Sequence, residues 1–496
     1  MAMTTATLPR LAQRTPLIRP RLLRIELRRS PMPLILPVIA ALFWFDSYRP
    51  STSQPTYWML RTFWNMGQGH TIIDFGPLVA GMAAWIASRD GRRGLGDLIA
   101  ALAAPVWKRR LATWGAAAIW AVGAYVVFVL VLFGVYASQG LKGEPPWWWM
   151  GVGITAVAAF SAVGFAVGTV ITSRYAAPIA TIGSLIAMMF SSQTGFSHTS
   201  GWALILPTDS NGNYQASTGI FYHYLPDLPI ARMLFLVGIT VAVLGLIGLV
   251  GAAGPARTLA IVVTACGVIA SGTAIGLVTT ARLEPDGMVI PALHDAANDR
   301  PITYTPVCDS GAVVPVCVNP AYRSSLPSLT AALAPALSTL AGLPGAPVRV
   351  EQTAGAYQSH QGDGGQLLTI GGTPPTLSIP LDAEGLPGSF GESNRELSDD
   401  LRLMAVHAFL GSTDAPAQIA VQSALLDLSG VPFSDQADGL DAYGMTWWSR
   451  SVAAVTPAVD AAARRFAALP PASRTAWLDD NLTGLRAGTV GLADLP

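Results

Sequence analysis

Lysine is nearly missing from this sequence: only Lys108 and Lys142 break a run of arginines that supplies the rest of the 30 basic residues. That shortage excludes a phosphate loop of the G-x-x-x-x-G-K-S/T kind, whose lysine must follow glycine to reach the β- and γ-phosphates. Lys108 follows Trp107 and Lys142 follows Leu141, so this chain does not hydrolyse ATP by that machinery. Charge of either sign is scarce as well, at 12% of residues. An average soluble domain carries about 25%, so there is too little charge to cover a soluble surface of this size. The six histidines are scattered, no H-E-x-x-H pair exists, and His407 lies on an apolar stretch without a partner four residues away. That is the setting of a packing histidine rather than a metal ligand. No Gly-x-Ser-x-Gly turn occurs, and the Ser-Gly pairs at 271–272 and 429–430 lack a second glycine. No catalytic, cofactor-binding or metal-binding residues are therefore assigned, and no nucleic-acid partner is expected.

What is present is apolar: 51% of the 496 residues are hydrophobic. The charges also divide unevenly. Residues 1–280 hold 19 Lys and Arg against 8 Asp and Glu, whereas residues 281–496 hold 11 against 22. Such asymmetry points to two compartments with different neighbours. A bilayer core takes roughly 20 mostly apolar residues per helix. Runs near 33–48, 71–88, 112–137, 151–172, 176–191, 232–252 and 258–280 meet or approach that length. The first and fifth are short, and the second contains Asp74 and Pro77. Backbone groups in lipid must be satisfied internally, so these runs should be helices. The Gly- and Ala-rich run from Ala156 to Gly168 suits close helix packing.

Arginine placement orients the spans. Arg10, Arg14, Arg19, Arg21, Arg24, Arg28 and Arg29 crowd the N-terminal tail, and Arg89, Arg92, Arg93, Lys108, Arg109 and Arg110 crowd the loop 89–111. Arg174 and Arg257 fall in turns on the same side, while the opposite loops are poor in basic residues. A cleaved signal peptide does not fit, because many further spans follow, and Arg28-Arg29-Ser30 as a twin-arginine export signal is not needed to explain the charges. The reading is a cell-membrane protein with a cytoplasmic N-terminus and, after seven spans, an extracytoplasmic tail. Three regions result: a tail 1–30, a transmembrane region 31–282, and an extracytoplasmic domain 283–496. The fold class is thus a membrane all-α bundle of about seven transmembrane helices followed by an α+β domain.

Cysteine supports the exterior tail. Cys308 and Cys317 flank the turn Asp309-Ser310-Gly311 between two β-rich runs. A disulfide across that hairpin fits an oxidising exterior. The alternatives are two buried thiols or half of a metal site, and no second Cys pair or nearby His pair exists to complete one. Elsewhere in the domain, Thr303–Val307, Val313–Val318, Val348–Gln352, Leu367–Gly371 and Leu377–Pro380 read as strands. Pro327–Leu340, 396–410, 415–428, 440–468 with a break at Pro457, and 472–486 read as helices. Within the spans Asp74 and Arg232 are near ends and can reach the interface, and no acidic residue sits at a midplane as an ion-coupled carrier would need.

The loop 89–111 carries Leu95, Leu98, Ile99 and Leu102 at helical spacing between basic clusters that include Arg89, Arg92 and Arg93, and Pro105 ends the pattern. It reads either as a docking element for a partner or as an ordinary interfacial helix held by its arginines.

Three segments together resemble the permease subunits of exporter-type ABC transporters of the actinobacterial type. They are Leu22-Leu-Arg-Ile-Glu-Leu-Arg-Arg-Ser-Pro31, Gly76-Pro-Leu-Val-Ala-Gly-Met-Ala-Ala-Trp85, and Arg89 through Pro105 with the following Lys108-Arg-Arg-Leu-Ala112. Val316–Arg323, Gly342-Leu-Pro-Gly345 and Leu492-Ala-Asp-Leu-Pro496 resemble parts of a C-terminal domain found on some of these permeases. The resemblance implies an amphipathic helix before the first span and a coupling helix in the loop 89–111 that meets a separate ABC ATPase subunit. It also implies a second permease copy or paralogue. A seventh span and an exterior tail depart from the usual six-span arrangement with both ends inside. The expected function is a permease subunit working by export in the lipid bilayer, its outer domain binding substrate, an envelope component or a partner. The rival expectation is a membrane-anchored extracytoplasmic sensor or assembly protein without transport, and a membrane-embedded enzyme is a third.

Overall fold

The computed structural model describes residues 20–47, 58, 70–94, 106–141, 143, 145–194, 205–206, 220–250, 254–284, 287–353, 368–380, 394–411, 415–433, 436 and 456–496. Eight helices come first: α1 Pro20–Arg29, α2 Met32–Ser47, α3 His70–Ala87, α4 Val106–Ser138, α5 Trp147–Val170, α6 Ala176–Thr194, α7 Asp227–Leu249 and α8 Pro255–Val278. Each of the seven apolar runs in the sequence corresponds to one of the helices α2 to α8. Among the described residues, four of them (α4, α5, α7 and α8) are long and apolar enough to cross a membrane. The others have shorter apolar stretches, 32–42 in α2, 75–87 in α3 and 176–189 in α6.

Small residues decide how the helices meet. A side-chain carbon at Gly164 or Gly168 would strike the backbone carbonyls of Ala80 and Ala84, so α5 and α3 lie backbone to backbone. This is the close approach that the run from Ala156 to Gly168 predicts. α7 and α8 form the most extensive helix pair, and Gly267 of α8 sits against the backbone of Ala242 in α7. Aromatic edges fill the wider gaps: Phe75 of α3 meets the rings of Tyr125 and Phe128 in α4 at 5.6 and 6.2 Å.

The C-terminal region is a small mixed sheet with helices. A two-stranded ribbon, β1 Arg282–Glu284 and β2 Gly287–Val289, follows α8. The main sheet comprises β3 Val307–Asp309, β4 Val316–Val318, β5 Arg349–Thr353, β6 Thr369–Gly371 and β7 Thr376–Pro380. Its spatial order is β3-β4-β5-β7-β6, with β4-β5-β7 parallel and the two edges antiparallel. The parallel step from β4 to β5 needs a crossover, and helix α9, Leu326–Leu340, supplies it. α9 buries Leu329, Leu333, Leu337 and Leu340 on one stripe against Val316, Val350 and Leu377 of the sheet. Each such leucine contributes about 1.5–3 kcal/mol relative to exposure. Helices α10 Asn394–Leu410, α11 Pro416–Leu428, α12 Pro457–Ala467 and α13 Pro471–Arg486 complete the layer. His407 is buried on α10, 3.5 Å from the Gln422 amide of α11, which agrees with a packing role. The 440–455 part of the long helix expected at 440–468 lies outside the described residues.

Cys308 and Cys317 face each other directly across the β3-β4 pair and are disulfide-bonded. Closing a loop of about ten residues stabilises a domain by about 2–3 kcal/mol in the chain-entropy model. Unreduced peptides should therefore show the two cysteines linked. Replacing both by serine should lower the thermal stability of the C-terminal domain by that amount, with the bundle unaffected. Free, alkylatable thiols at both positions in folded protein would contradict this.

Candidate functional site

Two ends of the helical bundle carry organised polar groups. At the first, the amphipathic α1 lies along α4. Leu23 packs on Gly115, and the Trp120 indole donates to the Leu27 carbonyl at 3.0 Å. The helix stops at Arg29 because Ser30 precedes a proline, and the Ser30 hydroxyl accepts the Met32 amide at 3.3 Å to start α2. This packing turns Glu26 inward, leaving 11% of its side chain exposed. Arg89, in the single helical turn Arg89–Arg92 that follows α3, reaches Glu26 at 3.6 Å and Asp90 at 3.5 Å. Asp90 in turn accepts from Arg109 at the start of α4, at 2.9 Å. Half-exposed ion pairs contribute little singly, but Glu26 is shielded enough that losing Arg89 would strand its charge.

Arg92 folds back over the Trp85 ring, 3.4 Å from its centroid, and donates to the Trp85 carbonyl at 2.9 Å. Arg93 caps the turn and stays exposed, and Gly94 follows with φ 63°. Of the residues expected to form a docking element, the structure brings Arg89 into this network, pins Arg92 and leaves Arg93 at the surface. Leu95, Leu98, Ile99 and Leu102 lie outside the described residues. So does the side chain of Asp74.

At the opposite end, the segment 220–226 leading into α7 is stitched to the C-terminal domain. Ile220 and Phe221 belong to that domain's core. Ile302 donates to the Phe221 carbonyl at 2.6 Å, Tyr222 bridges Pro301, and the Asn319 amide donates to the Ile220 carbonyl at 3.3 Å. Phe221 and Tyr304 meet edge to face at 5.7 Å. Trp149, at the head of α5, packs on the same core and on Tyr224, with ring centroids 6.5 Å apart. Burial raises the Tyr224 hydroxyl pKa well above its ordinary value, with Arg232 and Trp149 pulling the other way, so it remains a neutral phenol.

Asp227 is the first residue of α7 and is fully buried. Its place in the first turn suits a negative charge, since the helix dipole is positive there. Carboxylate oxygen Oδ2 accepts the Ile290 amide at 2.9 Å and lies 3.3 Å from Nδ1 of His294. The second contact has the distance of an ion pair but not the alignment of a hydrogen bond. Nε2 of His294 stands 2.8 Å from the Asp299 carboxylate. Local turns set this up. His294 and Leu293 donate back to the Ile290 carbonyl, and Asp295 caps the short 3-10 turn Ala296–Asn298 that presents Asp299. Burial lowers the His294 pKa, but Asp299 and Asp227 outweigh it, so the net shift is upward and the imidazolium is favoured. The other Asp227 oxygen, Oδ1, is shielded and has no hydrogen-bond partner among the described residues. Among the described residues no group of three or more His, Cys, Asp or Glu is arranged to hold a metal ion.

Sequence reasoning missed this junction. The sixth span, read as 232–252, begins five residues earlier at Asp227. An acidic residue with a proline in a first helical turn is a start signal that was there to find. His294 has no local signal at all, because its partners come from other elements.

Comparison with protein-family models, with curated proteins and with solved structures gives no match.

Replacing Asp227 by alanine would leave the buried Ile290 amide without an acceptor, a loss of about 1–3 kcal/mol. Asp227→Asn keeps an acceptor and should cost less. Limited proteolysis of purified protein should therefore cut the 285–300 region faster in Asp227→Ala than in Asp227→Asn. Equal cutting in both would remove the amide from the explanation.

Proposed function

We propose that this chain is the membrane-spanning, permease-type subunit of an ATP-driven exporter, energised by a separate ATPase subunit and working beside a second copy or a similar permease. The observation that carries the reading is the tie among α1, the end of α3 and the start of α4 through Glu26, Arg89, Asp90 and Arg109. A subunit that pushes on the loop 89–111 would move three helices together rather than one flexible loop. The four long apolar helices and the basic clusters at this end are consistent with it. So is the lack of any phosphate loop, which puts ATP hydrolysis on another chain.

In this reading α2 to α8 make seven passes. The end bearing α1 and Arg89–Arg93 faces the cytoplasm, and the disulfide-bonded C-terminal domain faces outward. The alternation supports an odd count: α5 and α7 begin at the C-terminal domain and α8 ends there, while α3 ends and α4 begins at the basic end. A reporter that works only outside the cytoplasm, fused after Pro496, should be active. Strong activity of a cytoplasm-only reporter at that position would overturn the seven-pass topology.

The second reading is a membrane-anchored extracytoplasmic sensor or assembly protein without transport. The stitching of the C-terminal domain to α7 favours it, since that is how a signal sensed in the domain would enter the membrane. The two separate on the loop. Leu95→Asp with Leu98→Asp leaves every arginine, and so the topology, in place. In a docking cleft two new carboxylates should cost several kcal/mol, because unpaired buried charge is strongly disfavoured. An ATPase that co-purifies with the native chain in mild detergent should then be lost, while the Cys308–Cys317 disulfide still forms. Retention at native stoichiometry would show that this loop is not the docking element. If the native chain brings down no ATPase, the anchored sensor is the better reading.

A further inference from the structure

We propose that His294 is a proton-controlled clasp: protonated, it holds the segment 287–299 on the head of α7, and on losing its proton it releases that segment. The geometry argues for it. His294 stands between two carboxylates on different elements, Asp227 of α7 at 3.3 Å and Asp299 after the 3-10 turn at 2.8 Å. An imidazolium points an N–H at Asp299 and sets a positive charge beside Asp227. A neutral ring has one N–H, so one nitrogen must turn a lone pair toward a carboxylate oxygen. The cost falls on the buried side. Asp299 is 45% exposed and can turn to water, but Asp227 is fully buried and cannot.

The remaining charged groups of these elements do not take over the role. Asp295 is occupied by the Ala297 amide. Arg300, His223, Glu284, Arg232 and the Tyr224 phenol lie on the adjoining segments, but among the described residues only Asp299 and Asp227 act on the ring. Other links between the domain and the 220–226 segment do not titrate: the Tyr222–Pro301 bridge and the bonds to the Phe221 and Ile220 carbonyls. Release is therefore local. The segment that loosens contains Met288 and Ile290, which pack with Leu228, Ala231 and Phe235 of α7 and with Val278 of α8. It also follows α8 after β1 alone. The protonation state of one side chain outside the bundle thus sets how firmly the α7-α8 pair is gripped, whichever function the chain performs.

The sign follows from linkage. His294 is raised in the folded state, so its stabilisation is complete below the ordinary histidine value of about 6.5 and is lost as pH rises through the folded value. Each pKa unit between closed and open segment contributes about tenfold to the opening constant.

Hydrogen exchange of the full chain in lipid nanodiscs from pH 5.5 to 9, corrected for intrinsic exchange, tests this. Protection of 287–299 should fall across one transition, while 326–340 in α9 stays protected. His294→Gln should abolish the transition. Asp299→Asn, which alters an exposed partner and spares the fold, should keep the transition and move its midpoint to lower pH. The proposal is overturned if the native segment shows no transition or if α9 opens with it. It is also overturned if His294→Gln keeps the transition or Asp299→Asn leaves the midpoint in place. Should His294→Gln fail to form the Cys308–Cys317 disulfide, the Asp299→Asn midpoint decides alone.

Discussion

A carboxylate with no access to water has to be answered by the protein around it, and Asp227 is such a group. It sits where α7 leaves the C-terminal domain, at the first turn of a helix of 23 residues. The helix dipole, the Ile290 amide and the His294 ring answer it together. Ile290 and His294 are placed only if the chain leaving α8 doubles back through β1 and β2 to the head of α7. The ribbon of three-residue strands is too short to be stable alone. It exists because Met288 and Ile290 are buried against α7 and because Asp227 needs a donor there. One buried charge thereby fixes the path of the chain between bundle and domain.

At the other end the same rule works with weaker terms. Glu26 is shielded but not sealed, and its partner Arg89 is shared with Asp90, which is shared with Arg109. Partial exposure makes each contact replaceable, so this network ties three helices without locking them. The contrast is physical: an end built on a sealed charge gives way only when its partner changes charge, while an end built on shared, half-wet pairs can shift partners at small cost.

Elements whose pattern is local were legible in the sequence. α9 follows from leucine and alanine at helical spacing, and the disulfide hairpin from two cysteines about a turn. Among the described residues the apolar runs located helices α2 to α8, and the run from Ala156 to Gly168 marked a close helix contact without naming α3 as its partner. The start of α7 had a local signal in Asp227 and Pro229, but the partner of that carboxylate, the Ile290 amide 63 residues away, left none. The pairing of Asp90 with Arg109 spans 19 residues and Glu26 with Arg89 spans more, so neither follows from spacing. Long-range polar contacts leave no period in a sequence. The candidate site was therefore half visible: its arginines could be named, but not what holds them.

The two ends are joined by backbone contact rather than by side chains. α5 begins beside Trp149 at the C-terminal domain and runs past α3 with Gly164 and Gly168 against the Ala80 and Ala84 carbonyls. α3 then ends at Arg89 and its charged partners. Close-packed backbones without intervening side chains cannot slide without clash, so displacement of α3 at the basic end must be followed by α5. α7 and α8 share a similar seam at Gly267, and α7 packs on α5. In the proposed reading, a push at Arg89 and a release at His294 would act on one connected stack of helices from opposite ends. That connection is what a coupled membrane machine needs, and it depends on glycines at positions where any side chain would hold the helices apart.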